Sequence, residues 1–79
     1  MKMSELVSEI EHKIGTTPDV QYRNGAVWSE GDKSLSLYVL EGGDVLVDQY
    51  VSGKGHQNTV AAGPELILEC VRWVTDGRN

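Results

Sequence analysis

The most constraining feature of this sequence is the alternation of apolar and more polar residues over residues 33–52. The apolar positions on the two sides of Glu41-Gly42-Gly43-Asp44 are Leu35, Leu37, Val39, Val45, Val47 and Val51. Alternation with a period of two around a glycine-rich turn predicts a β-hairpin. The two apolar sets share one face only if the loop has an odd number of residues. Glu41-Gly42-Gly43 supplies three, with a glycine for the left-handed position.

An amphipathic helix is predicted before this hairpin, over residues 4–14. Its apolar positions recur at helical spacing and are Met3, Leu6, Val7, Ile10 and Ile14. Ser4 is a suitable N-cap, and Gly15 is a suitable stop signal. A helix of about three turns is too short to persist alone in water, so it has to dock on the sheet.

A second amphipathic helix is predicted after the hairpin. Pro64 suits the first helical position, and Glu65 suits the positive end of the helix dipole. The apolar stripe then ends before Asp76-Gly77. Its members are Leu66, Ile67, Cys70, Val71 and Val74, with Leu68 and Trp73 beside them.

Two further segments determine the number of strands. Asn24-Gly25 lies between apolar residues and predicts a hairpin with a type I′ turn, with a bulged single strand as the alternative. Gly31-Asp32-Lys33 then leads into the central hairpin. Residues 53–63 have no stable period apart from a short extended piece at 59–62, so this segment is predicted as an irregular connector.

Together these segments predict a single α+β domain over residues 1–79, in the order α-β-β-β-α. Consecutive strands joined by short turns predict an antiparallel meander of three or four strands. A sheet with one apolar face and helices with one apolar stripe each predict a two-layer sandwich. We expect both helices on the same face, with Trp28 and Trp73 at the edge of the core.

Charge and composition disfavour several classes of partner. Twelve Asp and Glu against seven Lys and Arg give a formal net charge of -5. Affinity for nucleic-acid phosphates comes mainly from Lys and Arg, so nucleic acid is disfavoured as a partner. No apolar run approaches the roughly 18 residues of a membrane span, and no signal-peptide pattern opens the sequence. We therefore expect no membrane partner. The single cysteine cannot form an internal disulfide, which favours a cytoplasmic protein.

Residue types that often carry catalysis or bind metals do not form a recognisable constellation. Cys70 lies on the apolar stripe of the second helix, which predicts a buried thiol rather than a nucleophile. A metal site with His12 and His56 would need a third ligand and convergence in space. We expect Asp48 to be a solvated strand residue rather than a member of a catalytic acid–base pair. We therefore expect a non-enzymatic protein with no cofactor and no metal.

Two surfaces are candidate functional sites. One is the sheet face opposite the helices, which is more apolar than a solvated face needs to be. Its candidate interface residues are Tyr38, Leu40, Leu46, Asp48 and Tyr50. Tyrosine is enriched at interfaces, although strand propensity alone also favours it. The other is the glycine-rich segment 53–59, where Lys54 could neutralise an anion and His56 could transfer a proton. P-loop spacing is absent there, and an ordinary connector is the alternative.

The leading functional hypothesis is a small acidic protein-interaction module that binds another protein, or itself, through this sheet face. An accessory protein, an inhibitor or an antitoxin-like regulator of a microbe or phage fits this description. In a sharper version the carboxylates mimic nucleic-acid phosphates, although the acidic residues are scattered. The alternatives are a small-ligand or anion-binding domain that uses segment 53–59, and a homodimer in which edge strands pair two copies.

Overall fold

The computed structural model describes residues 2–76 and has the element order helix, five strands, helix. The strands form one antiparallel sheet in the order β1-β2-β3-β4-β5, so the predicted α+β class and meander are confirmed. The sheet has five strands where the sequence predicts three or four. The elements are α1 Met3–Ile14, β1 Val20–Gln21, β2 Gly25–Glu30, β3 Lys33–Val39, β4 Val45–Val51, β5 Gly55–Val60 and α2 Pro64–Thr75.

Strands β3 and β4 form the hairpin that the alternation predicts. Leu37 lies opposite Val47, so the two apolar sets share one face of the sheet. The backbone N–H of Leu40 donates to the carbonyl oxygen of Asp44 at 2.8 Å and closes a loop over residues 41–43. Gly43 has a φ of 91°, the left-handed conformation that such a loop needs. The predicted three-residue loop is therefore confirmed.

The hairpin of β1 and β2 is also present, but its turn differs from the prediction. The backbone N–H of Tyr22 donates to the carbonyl oxygen of Gly25 at 2.7 Å, which leaves Arg23 and Asn24 as the loop. A type I′ turn needs a positive φ at both loop residues, and no non-glycine residue among 2–76 has one. The predicted type I′ turn at Asn24-Gly25 is wrong because Gly25 is already the first residue of β2.

Strand β5 is the element that the sequence does not predict. It pairs with β4 along its whole length, from Gly55 opposite Val51 to Val60 opposite Leu46. The predicted irregular connector over residues 53–63 is therefore wrong for most of its length. All six residues of β5 are exposed. A strand with no buried side lacks the alternating pattern by which strands are recognised in a sequence.

The helix boundaries agree with the prediction at most ends. Helix α1 begins at Met3, so the prediction of Ser4 as N-cap is wrong. The physical reason is the burial of Met3, which is 0% exposed and adds one residue to the apolar stripe. Gly15 ends α1 as predicted, with a φ of 82° and its N–H donating to the carbonyl of Glu11. Within residues 2–76 neither helix has the length and apolar character needed to cross a membrane. The predicted stop at Asp76-Gly77 lies partly outside the described residues.

Both helices pack on the same face of the sheet, mainly over β2, β3 and β4. Trp28 is 0% exposed and lies inside the core, whereas the sequence places it at the edge. Trp73 is half-buried, with the Lys33 ammonium 5.3 Å from the centre of its ring. The buried hydrophobic residues are Met3, Leu6, Val7, Ile10, Ala26, Trp28, Leu35, Leu37, Val45, Val47, Ile67, Leu68, Cys70, Val71 and Val74.

Candidate functional site

The sheet face turned away from the helices is called the outer face below. Side chains directly opposite one another on antiparallel strands point to the same side of the sheet. The register therefore places every second residue of each strand on the outer face. The large hydrophobic side chains that are exposed among residues 2–76 all fall on it. They are Val20, Tyr22, Tyr38, Leu40 and Val60.

One line of residues on the outer face begins just after β1 and crosses β2, β3, β4 and β5, and we call it the apolar row. Its members are Tyr22, Gly25, Tyr38, Leu46 and Val60, each opposite the next. A Cβ added at Gly25 would lie 3.4 Å from Cδ1 of Tyr38, so the Tyr38 ring lies over this glycine. The ring therefore bridges the gap that the missing side chain would otherwise leave in the row.

The contiguity of the apolar row distinguishes it from an ordinary surface. Single exposed apolar residues are normal on soluble proteins, whereas a connected apolar patch with a polar surround is typical of an interaction site. All three tyrosines of the chain, Tyr22, Tyr38 and Tyr50, lie on this face. Tyrosine combines a large apolar contact area with a hydroxyl that remains hydrated, which suits a surface that is alternately free and bound.

A polar cluster of Asp48, Tyr50 and His56 lies beside the apolar row on β4 and β5. Nδ1 of His56 is 2.9 Å from Oδ2 of Asp48. The rings of Tyr50 and His56 have centroids 4.5 Å apart. The Asp48 side chain is 16% exposed and that of His56 is 60% exposed, so the imidazole partly covers the carboxylate. These contacts hold the three side chains in one arrangement at the border of the outer face.

The structure brings the predicted interface residues together on one face. Tyr38 and Leu46 belong to the apolar row, Asp48 and Tyr50 belong to the polar cluster, and Leu40 follows β3 and is 40% exposed. The sequence analysis did not include Val20, Tyr22, Gly25, Val60 or His56 in this surface. The alternation of Val20 and Tyr22 was visible in the sequence, but the face they occupy depends on the register with β2.

The sequence places Lys54 and His56 in one irregular loop, whereas the structure places Lys54 in a turn and His56 on strand β5. Lys54 ends the turn between β4 and β5, where its N–H donates to the carbonyl of Val51 at 2.9 Å. His56 is part of β5 and belongs to the polar cluster. An open groove of about 510 Å³ borders both residues and is also lined by Gln57 and Trp73. Among residues 2–76 no three His, Cys, Asp or Glu side chains come together in a way that could hold a metal ion.

Cys70 is a buried thiol on α2, as predicted. Burial, with a smaller contribution from the Glu69 carboxylate, raises the pKa of this thiol above its ordinary value of 9.0. The thiolate is the reactive form of cysteine, so a buried thiol with a raised pKa is a poor nucleophile. Cys70 therefore has the properties of a core residue.

We expect Cys70 to react with a soluble thiol reagent at least about 100-fold more slowly in the folded protein than in urea, because reaction requires opening of the core. The rate of thiol modification at pH 8 measures this difference. Equal rates with and without urea would contradict the burial of Cys70.

The raised pKa of Cys70 also makes the stability of the fold depend on pH. The contribution of the neutral buried thiol to the free energy of unfolding is complete below pH 9 and is lost as the pH rises through the raised pKa of the folded state.

The fold and its surfaces were compared with known proteins. No protein-family model, no curated protein and no solved structure matches this chain.

Proposed function

We propose that this chain is a small acidic, non-enzymatic protein-interaction module that binds another protein, or a second copy of itself, through the outer face. The observation that carries the proposal is the apolar row. A sheet with helices on one side usually turns a polar face to water. Here the exposed large hydrophobic side chains of residues 2–76 are concentrated on that face instead.

The chemistry of the outer face defines the partner that it would suit. Its centre is apolar and aromatic, and Asp44 and Asp48 add negative charge beside the row. A complementary partner has an apolar patch bordered by Lys or Arg, since opposite charges at the border guide and orient association. An accessory protein, an inhibitor or an antitoxin-like regulator would act in this way on a basic target.

Charge and redox chemistry support two further parts of the proposal. The net charge of -5 opposes binding to nucleic-acid phosphates, so we propose a protein partner rather than nucleic acid. A single free and buried thiol, Cys70, suits a reducing compartment, and we therefore propose a cytoplasmic location.

The proposal is tested by capturing a partner with the tagged chain and mapping the binding surface by NMR. Backbone amide shifts are compared before and after addition of the purified partner. The expected changes cluster at Tyr22, Tyr38, Leu46 and Val60 on the outer face. Changes confined to α1 and α2 would contradict the proposal, because they would place the partner on the opposite layer.

A second candidate function is the binding of a small anion beneath β5. The observation that favours it is the open groove of about 510 Å³, which is lined by Lys54, Gln57 and Trp73. Inorganic phosphate is expected to raise the thermal midpoint of the protein, since a ligand at 100 times its Kd stabilises by about 2.7 kcal/mol. Lys54→Ala should remove the shift. An unchanged midpoint at saturating phosphate would eliminate this candidate for phosphate.

A further inference from the structure

The two edges of the sheet differ in how they are protected from other strands. At the β1 edge the strand has only two residues. Beside it, the backbone N–H of Ser29 on β2 donates to Oδ2 of Asp19 at 2.7 Å. A short edge strand and a side chain that occupies a backbone donor are both features that prevent edge-to-edge pairing. The β1 edge is therefore closed to a further strand.

The β5 edge has no such protection. The strand has six residues, all exposed, and none of them is a proline, lysine, arginine, aspartate or glutamate. It pairs with β4 without a bulge, from Gly55 to Val60. The helices pack over the central strands and leave β5 uncovered. A long, uncharged and regular edge strand is a template for a further strand.

The hydrogen-bond pattern identifies the backbone groups that this edge offers. The N–H of Ala61 donates to the carbonyl of Val45 at 2.8 Å, so Ala61 points toward β4. Backbone groups alternate in direction along an antiparallel strand. His56, Asn58 and Val60 therefore direct their N–H and C=O groups away from β4, and the same three side chains lie on the outer face.

We propose that β5 pairs antiparallel with β5 of a second copy of this chain and forms a dimer with a continuous ten-stranded sheet. The three outward-facing residues are evenly spaced about Asn58, so a two-fold axis there pairs all of them. Asn58 lies opposite Asn58 of the second copy, and His56 lies opposite Val60. This isologous pairing satisfies the backbone donors and acceptors of both edges with one repeated contact.

Charge complementarity favours a second copy over an unrelated strand. The two ends of β5 differ in charge. Lys54 lies in the turn before the strand, and the far end of the strand pairs beside the β3–β4 loop that carries Asp44. Antiparallel pairing about a two-fold axis brings the Lys54 end of one copy to the Asp44 end of the other. Neither residue has an ion pair within its own chain among residues 2–76. The two-fold axis brings these opposite charges toward each other twice.

The dimer goes beyond the proposed function because it uses the edge of the sheet rather than the outer face. It also places the apolar rows of two copies side by side on one enlarged surface. Substitutions on β5 therefore test the dimer, and substitutions at Tyr38 test partner binding, so that either inference can fail without the other.

Asn58→Pro tests the dimer most selectively. Its N–H points away from β4, so proline removes a donor that only the second copy uses and leaves the pairing with β4 intact. We expect sedimentation equilibrium to give a dimer for the natural chain and a dimer Kd raised roughly 100-fold for Asn58→Pro, since two bonds per dimer are lost. Asn58→Thr keeps the N–H and is expected to dimerise like the natural chain.

A charge exchange provides a second test that does not depend on proline. Lys54→Asp should weaken the dimer about tenfold by placing like charges together, and Lys54→Asp combined with Asp44→Lys should restore it. Thermal midpoints show whether each variant is folded. A natural chain that is monomeric at every concentration would overturn the proposal. So would a folded Asn58→Pro variant that dimerises unchanged, or a charge exchange that fails to restore the dimer.

Discussion

Trp28→Ala is expected to lower the thermal midpoint by at least about 15 °C. Trp28 is 0% exposed and is among the largest fully buried side chains. Truncating a buried tryptophan to alanine costs about 3–5 kcal/mol. A domain of this length has a total stability of roughly 4–12 kcal/mol. Thermal unfolding followed by circular dichroism measures the loss.

Trp28→Phe is the matched control for this prediction. Among residues 2–76 no acceptor lies within hydrogen-bond distance of the indole Nε1 of Trp28. A buried N–H without a partner costs about 1–3 kcal/mol of stability, and phenylalanine removes that cost. It also loses part of the buried ring, which lowers the stability. We expect Trp28→Phe to lose less than half of what Trp28→Ala loses. Equal losses would show that the indole N–H contributes a stabilising bond.

Tyr38→Lys is expected to weaken partner binding by about 2 kcal/mol or more, at least thirtyfold in Kd. Tyr38 lies at the middle of the apolar row, on the central strand β3, with its ring over Gly25. Tyrosines near the centre of an interface carry much of its binding energy. Isothermal titration of the purified partner with natural and variant protein measures the change.

The fold should survive Tyr38→Lys, because the side chain is already 40% exposed and contributes nothing to the helix-side core. A surface change of this kind costs about 1 kcal/mol at most. A thermal midpoint close to that of the natural chain would separate a loss of binding from a loss of structure.

The central hairpin could be predicted from the sequence because one of its faces is buried. Burial of Leu35, Leu37, Val45 and Val47 imposes the period of two that the sequence displays. The odd loop then follows from the requirement that both apolar sets share a face. The same reasoning predicted both helices, whose buried stripes have a helical period.

Strand β5 could not be predicted because no face of it is buried. Backbone hydrogen bonds with β4 hold this strand in the sheet, and such bonds require no particular type of side chain. The turn before β2 was misplaced for a related reason. Gly25 follows Asn24 as in a hairpin turn, but it is already the first residue of β2, where it pairs with Tyr38.

The outer face could be predicted only in part, because its composition depends on register. Tyr38, Leu40 and Leu46 follow from the alternation of one hairpin. Tyr22 and Val60 join them only when β1 and β5 are aligned with their neighbours. The contact of His56 with Asp48 links two strands diagonally, and it combines residues that the sequence assigned to different sites.

The central claim, that the outer face binds a protein partner, is tested most directly by one titration with three proteins. The natural chain, Tyr38→Lys and Ser8→Lys are each titrated into the same purified partner. Ser8 is an exposed residue of α1 on the opposite layer, so its variant adds the same charge away from the outer face. We predict that Tyr38→Lys loses at least thirtyfold in affinity while Ser8→Lys binds like the natural chain. Equal affinities for Tyr38→Lys and the natural chain, or a loss confined to Ser8→Lys, would contradict the claim.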